Sequence, residues 1–287
     1  MTSAASLRLL ILGAHPDDAE FHAGGLAVRY RRAGHAVRMV SVTNGAAGHH
    51  RLTPEELAEV RRREAAAAGR VIGAEYHVWE FPDGALLPTL ELRHRIIAEI
   101  RTFRPDLVLT HRTCDYHPDH RAVGQAVQDA SYLVTVPLVL PEVPFLHQDP
   151  VVAYMVDLFR KPIPLEPDVV LDIDAEIDTV IRMLACHRSQ VFDFLPFNQQ
   201  IELPDFRDEE QERAWLLKWY DSLCRERVER FRDVLARCCG EPRAAQARFV
   251  EAYEISEYAA QIDERRLREL FLTRAAPARP EAGGRRL

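Results

Sequence analysis

Two short stretches of this chain set imidazoles beside carboxylates. The first, Ala14-His15-Pro16-Asp17-Asp18-Ala19-Glu20, follows the apolar run Leu9 to Leu12. The second, Asp115-Tyr116-His117-Pro118-Asp119-His120, follows a second apolar run, Asp106 to Thr110. Each holds a His-Pro-Asp triplet. One such triplet is ordinarily a turn or a helix cap. Two of them, each soon after a buried strand, point to chemistry. Pooled, they offer His15, Asp18 and His120: two imidazoles and a carboxylate, a recurring ligand set of catalytic zinc sites whose fourth position keeps a water. A bound ion lowers the pKa of that water to roughly 7. Asp17 and Asp18 are adjacent, so both need not face one ion. With Asp18 as a ligand, Asp17 is free to act as a general base toward the water. His117 lies three residues before His120 and can face the same cavity without ligating. One ion is expected, and iron(II) suits the set as well as zinc does. Asp119 is expected to be structural, orienting a ligand histidine through its second nitrogen.

The other imidazoles carry less. His22, His35, His77, His94, His111 and His147 show no partner pattern and are expected on the surface or in the core. For His49-His50, a place in the pocket wall is the minority reading. The pair Gly24-Gly25 lacks the G-x-G-x-x-G spacing, so no nucleotide is expected.

The elements that position these groups can be read from periodicity. Leu9 to Leu12 does not alternate and so reads as a strand buried on both faces; Pro16 ends it. His15, Asp17 and Asp18 are then placed on a loop at a strand's carboxyl end, where open α/β sheets bind ligands. A helix is expected over His22 to Ala33, a strand over Ala36 to Thr43, and a helix from Thr53-Pro54-Glu55-Glu56, a capping-box start, to about Ile72. Strands over Tyr76 to Phe81 and Asp106 to Thr110 flank a helix over Leu90 to Phe103. His120 to Leu133 reads as helix, Val136 to Pro150 as an extended excursion, and Val151 to Leu158 and Val169 to Ile173 as strands. Ile177 to Leu184 and the long Phe206 to Arg237 read as helices, the latter with Trp215, Trp219 and Leu223 on its apolar stripe. Phe249 to Tyr253 reads as strand and Glu264 to Phe271 as helix. Strands alternating with helices imply a Rossmann-like, mostly parallel α/β sheet flanked by helices, with a helix-rich C-terminal extension. One domain over 1–274 is expected, its core 7–190 and its helical part 191–274, with a disordered tail over 275–287.

Bulk composition narrows the field. A net charge of −7 argues against a nucleic-acid partner, which needs a basic face. No apolar run approaches the roughly 20 residues of a membrane span, and no signal peptide is read at the N-terminus. The five cysteines form no C-x-x-C pair, which fits the cytoplasm rather than a disulfide frame.

The two His-Pro-Asp motifs resemble those of the LmbE-like/PIG-L family of zinc-dependent N-acetylglucosaminide deacetylases. The resemblance extends through Thr43-Asn44-Gly45, Arg61, Glu64-Ala65, Gly73, Phe81-Pro82-Asp83-Gly84 and Arg104-Pro105-Asp106, about residues 7 to 135, and His187-Arg188-Ser189-Gln190 resembles a later family element. It implies zinc on His15, Asp18 and His120, Asp17 as general base, and His117 as oxyanion stabiliser and donor to the leaving amine. It also implies sugar contacts by Arg61 and Asp83. Tyr116 stands one place before His117, where some members carry a substrate-site tyrosine two places before. The expected activity is removal of acetyl from an N-acetylglucosamine-type sugar or conjugate, by a homo-oligomer acting on small molecules. The alternatives are hydrolysis of another amide or ester, and a non-catalytic sugar-binding protein.

Overall fold

The computed structural model describes residues 6–273. The expected tail lies outside them. Strands and helices alternate first: β1 (Arg8–Gly13), α1 (Asp18–Arg32), β2 (Ala36–Thr43), α2 (Pro54–Ile72), β3 (Glu75–Phe81), α3 (Leu90–Phe103), β4 (Leu107–Thr110) and α4 (Pro118–Ser131). There follow β5 (Val151–Met155), β6 (Val169–Asp172), α5 (Ile177–Leu184), α6 (Leu195–Gln199), α7 (Glu209–Cys239), α8 (Glu241–Ala244), β7 (Val250–Ile255) and α9 (Glu264–Phe271). The strands form one sheet in the order β3-β2-β1-β4-β5-β7-β6. β1 to β5 pair in parallel and β6 points the same way, while β7 is antiparallel to both its neighbours, β5 and β6. The helix-rich C-terminal section therefore feeds a strand into the same sheet.

The apolar run of β1 is buried on both faces, as its pattern predicts. Leu9 and Ile11 pack toward α1 and α5, and Leu10 and Leu12 toward α3 and α4. Both faces being covered, no polar residue is needed at alternate positions. The chain goes from β1 outward to β2 and β3, then returns to place β4 on the other side of β1. The order thus reverses between β1 and β4, and a crevice opens at their carboxyl ends. Both His-Pro-Asp motifs sit there.

Helix starts bring the functional groups in. The α2 capping box is present: Thr53 Oγ1 accepts from the Glu56 backbone, and Glu56 accepts from the Thr53 N–H. α1 begins at Asp18, four residues earlier than the apolar periodicity suggests. The polar residues Asp18 and Glu20 occupy its first turn, where carboxylates are favoured by the helix dipole, and periodicity does not register them. Gly24 and Gly25 lie inside α1. A Cβ on Gly25 would come within 2.5 Å of Ile173, so this pair serves close packing. The buried stripe of α7 is Leu216, Tyr220, Cys224 and Val228. The expected Trp215-Trp219-Leu223 stripe flanks it, and Trp219 and Leu223 line a cavity instead.

Gly13 ends β1 directly beneath the first motif. A Cβ there would stand 2.7 Å from Asp18 Cβ and 3.3 Å from its Oδ2. Gly13→Ala is expected to cost about 1–3 kcal/mol, as over-packing of a tight site does. The midpoint of thermal unfolding checks this and should fall, because the residue displaced is Asp18.

The excursion after α4 is a set of turns held from below. Arg101, fully buried, donates to the carbonyls of Leu133, Val134, Val136, Val139, Leu140 and Val143. Six carbonyl acceptors disperse its charge without a carboxylate.

Candidate functional site

Asp18 is the first residue of α1, and His120 lies in the first turn of α4, whose N-cap is His117 and whose N1 is Pro118. Because β1 pairs directly with β4, these helix starts face each other. His15 Nδ1 lies 3.2 Å from His120 Nε2 and 3.6 Å from Asp18 Oδ2, and His120 Nε2 lies 3.5 Å from Asp18 Oδ1. Ligand atoms about 2.0–2.1 Å from a tetrahedral ion stand about 3.3–3.5 Å apart. The spacing therefore fits a divalent ion.

The far nitrogen of each ring supports the same fit. His15 Nε2 faces Asp83 Oδ1 at 3.1 Å and Asp119 Oδ2 at 3.4 Å. His120 Nδ1 faces Asp115 Oδ1 at 3.1 Å. Both far nitrogens, His15 Nε2 and His120 Nδ1, are buried without a hydrogen-bond partner, and the carboxylates stand beside them at ion-pair distance. His15 Nδ1 and His120 Nε2, 3.2 Å apart, are spaced to share a proton or to hold a cation in its place. Burial works against charge on His15, yet the nearby carboxylates of Asp119, Asp18 and Asp83 outweigh it and raise its pKa well above the ordinary value. The pocket is built to hold positive charge. Asp83, opposed by its own burial, is drawn down to about 2 by His15.

Asp17 stands beside this cluster on strained backbone, with φ at 138°. Its N–H donates to Tyr76 Oη at 3.1 Å, and Tyr76 in turn donates to Glu20, which His187 meets at 3.1 Å. The later His187 element thus helps to fix Asp17. The Asp17 carboxylate accepts from Arg61 Nη2 at 3.0 Å, and the same nitrogen donates to the Pro16 carbonyl. Burial pushes the Asp17 carboxyl up to about 6 although Arg61 pulls the other way. Both Arg61 and Asp83 line the cavity, but Arg61 is engaged with Asp17, and Asp83 with His15 and the Ala47 N–H. The His117 Nδ1 accepts from the Asp119 N–H, so its neutral ring carries the proton on Nε2. Burial and the neighbouring His15 and His120 lower the pKa of His117.

Three groups escape a sequence reading. His111 is in the cluster rather than the core: its Nε2 is 3.0 Å from Asp18 Oδ2, and its ring stacks on His120 at 3.9 Å. His22 lines the cavity, and Asp115 orients His120. His111 stands just past the end of β4, the position that could have flagged it. His22 is one turn beyond Asp18 on α1, a spacing visible only once the helix start is known. Gly48 lines the cavity but His49 and His50 do not; His50 stacks on Phe197. Tyr116 is exposed at the mouth, its ring 5.6 Å from that of His117.

The cavity is about 650 Å³, within the range of small-molecule sites. One end holds the acids and imidazoles. The other is walled by Phe21, Leu158, Phe159, Phe194, Trp219 and Leu223, with Arg227 among them. Among the described residues no helix is long and apolar enough to cross a membrane.

Comparison with known proteins places the same segment. The family model described as GlcNAc-PI de-N-acetylase (PIG-L) matches residues 10–131. A 4-oxalmesaconate hydratase of Pseudomonas putida is 25% identical over 191 residues, 63% of this chain and 73% of that protein. A 1D-myo-inositol 2-acetamido-2-deoxy-alpha-D-glucopyranoside deacetylase of Saccharopolyspora erythraea is 30% identical over 162 residues, 46% of this chain and 59% of that protein. The solved N,N'-diacetylchitobiose deacetylase of Pyrococcus horikoshii superimposes with a TM-score of 0.66 at 20% identity, covering 88% of this chain and 84% of that one; the likeness is one of fold. The segment that matches the PIG-L model, residues 10–131, supplies His15, Asp17, Asp18, Asp83, His111, Asp115, His117, Asp119 and His120.

Proposed function

We propose that this protein is a metal-dependent hydrolase that removes the N-acetyl group from an N-acetylglucosamine-type amino sugar or conjugate. The observation that carries the reading is the convergence of His15 Nδ1, Asp18 and His120 Nε2 within 3.6 Å, with the unligated carboxylate of Asp17 beside them. A divalent ion on these three residues supplies Lewis acidity toward an amide carbonyl and acidifies a water; zinc is the proposed ion. Asp17 takes one proton from the attacking water as its oxygen bonds to the carbonyl carbon. The N–H on His117 Nε2 donates to the carbonyl oxygen as charge builds there, worth about 3–4 kcal/mol for a well-placed donor. The C–N bond then breaks, and Asp17 returns the proton to the leaving nitrogen, giving acetate and free amine. Arg61 holds Asp17 in place, Asp83 and Asp119 fix His15, and Asp115 fixes His120. Arg61 and Asp83, both on the cavity wall, are also the proposed contacts to the sugar. Five free cysteines fit an enzyme working in the cytoplasm.

A second reading rests on the hydratase relative, 25% identical over 191 residues. There the same water would add across a conjugated double bond. One experiment separates the two. Zinc-loaded protein is given N-acetylglucosamine, diacetylchitobiose and a neutral N-acetylglucosaminide, with amine release measured, and separately an unsaturated hydroxy-carboxylate, with loss of ultraviolet absorbance measured. Amine release that a chelator abolishes and zinc restores is the expected result. Hydration without amine release would replace the hydrolase reading.

A further inference from the structure

Four arginines among the described residues are buried, and three have their charge met by a carboxylate or by a ring of carbonyls. Arg61 pairs with Asp17, and Arg112 is bidentate on Asp157. Arg101 is spread over six carbonyls. Arg227, 9% exposed on α7, is different. Its Nη1 donates to the carbonyl of Phe21 at 3.1 Å, and the Tyr220 hydroxyl lies beside it. No carboxylate among the described residues comes within ion-pairing distance of it. Glu251 acts on it only from farther off, and that carboxylate is occupied by the N–H groups of Gly25 and Leu26 and by the Tyr253 hydroxyl.

A buried cation without a counter-charge is costly. This one lines the cavity, as does His22, whose buried Nδ1 has no hydrogen-bond partner. The location is also defined. Phe21, to which Arg227 is tied, is three residues after Asp18 on α1, roughly 5 Å along the helix. The guanidinium is therefore tied to α1 about one helical turn beyond Asp18. The cluster end of the cavity carries Asp17, Asp18, Asp83 and Asp115 and repels an anion. A ligand bearing both an amide and an anionic group can enter in one sense only: amide toward the histidines, anion toward Arg227.

We infer that Arg227, with His22 beside it, anchors a carboxylate of the substrate, so that the preferred substrate is an acetamido compound carrying an acidic group near the amide. The inference rests on the hydrolase reading for the reaction, but not for the anion. A planar guanidinium offers paired N–H donors that match a carboxylate. The same anchor would serve the acid groups of an unsaturated carboxylate.

The test uses a matched pair: the N-acetylglucosaminides of glycolate and of glycolamide, which differ in one charge. The wild-type protein is expected to favour the glycolate glycoside by about 10-fold or more in kcat/KM. Arg227→Met should bring that ratio close to one, and Arg227→Lys, which keeps a cation, should retain part of it. Since Arg227 is buried, a poorly folded variant is covered by the wild-type ratio itself. Calorimetric binding of succinate is measured in parallel. Turnover of both glycosides at equal efficiency by the wild type overturns the anchor and leaves the hydrolase reading intact. Succinate bound by the wild type and not by Arg227→Met, with neither glycoside cleaved, supports the anchor and removes the hydrolase reading. No turnover and no succinate binding removes both.

Discussion

Asp17→Asn is expected to lower kcat about 10²–10⁴-fold, the range over which a positioned general base contributes, while metal content stays at the wild-type level. Asparagine keeps an oxygen for Arg61 Nη2, now 3.0 Å from Asp17 Oδ2, and it is among the residues most tolerant of positive φ. The substitution therefore removes the ability to accept a proton with little change of shape. Steady-state kinetics with metal analysis checks it. A loss confined to KM would mean that Asp17 only positions the substrate. Undiminished kcat would remove it from the mechanism altogether.

The second large effect is on the ion. His120→Ala deletes one of the two ring nitrogens that meet across 3.2 Å, leaving His15 and Asp18 to hold a metal alone. Metal content is expected to fall from about one ion per chain to below about a tenth, with loss of turnover. Stability supplies an independent readout. An ion present at 100 times its dissociation constant stabilises the native state by about 2.7 kcal/mol. A chelator should accordingly lower the Tm of the wild type and leave that of His120→Ala unmoved. A variant that keeps full metal occupancy would overturn the ligand assignment, and His111, already 3.0 Å from Asp18, would be the replacement to examine.

Much of the scaffold is legible because it follows from local rules. The run Leu9 to Leu12 could only be a strand covered on both faces, and Thr53 with Glu56 announces a helix start. The convergence of His15, Asp18 and His120 was legible at one remove: it required β1 and β4 to be neighbours, which the alternation of strands and helices allows. The partners of these residues were not. Asp83 reaches His15 from a turn after β3, and Asp115 reaches His120 from within its own loop. Neither has a spacing that marks it. His111 looked like an isolated histidine because its partner, Asp18, is 93 residues away in the chain. Arg227 lay hidden for a different reason. On a charged helix every arginine looks solvated until packing shows which one faces inward.

Inserting β7 between β5 and β6 has a bearing on how the molecule is made. Gly25 and Leu26 give their N–H groups to Glu251, more than 220 residues later in synthesis. Until that late strand emerges from the ribosome, β5 has a bare edge and the N–H groups of Gly25 and Leu26 lack their carboxylate. Such long-range closure is slow, and an open strand edge invites wrong partners in the meantime. The nascent chain thus carries both His-Pro-Asp motifs well before the strand that closes this side of the sheet.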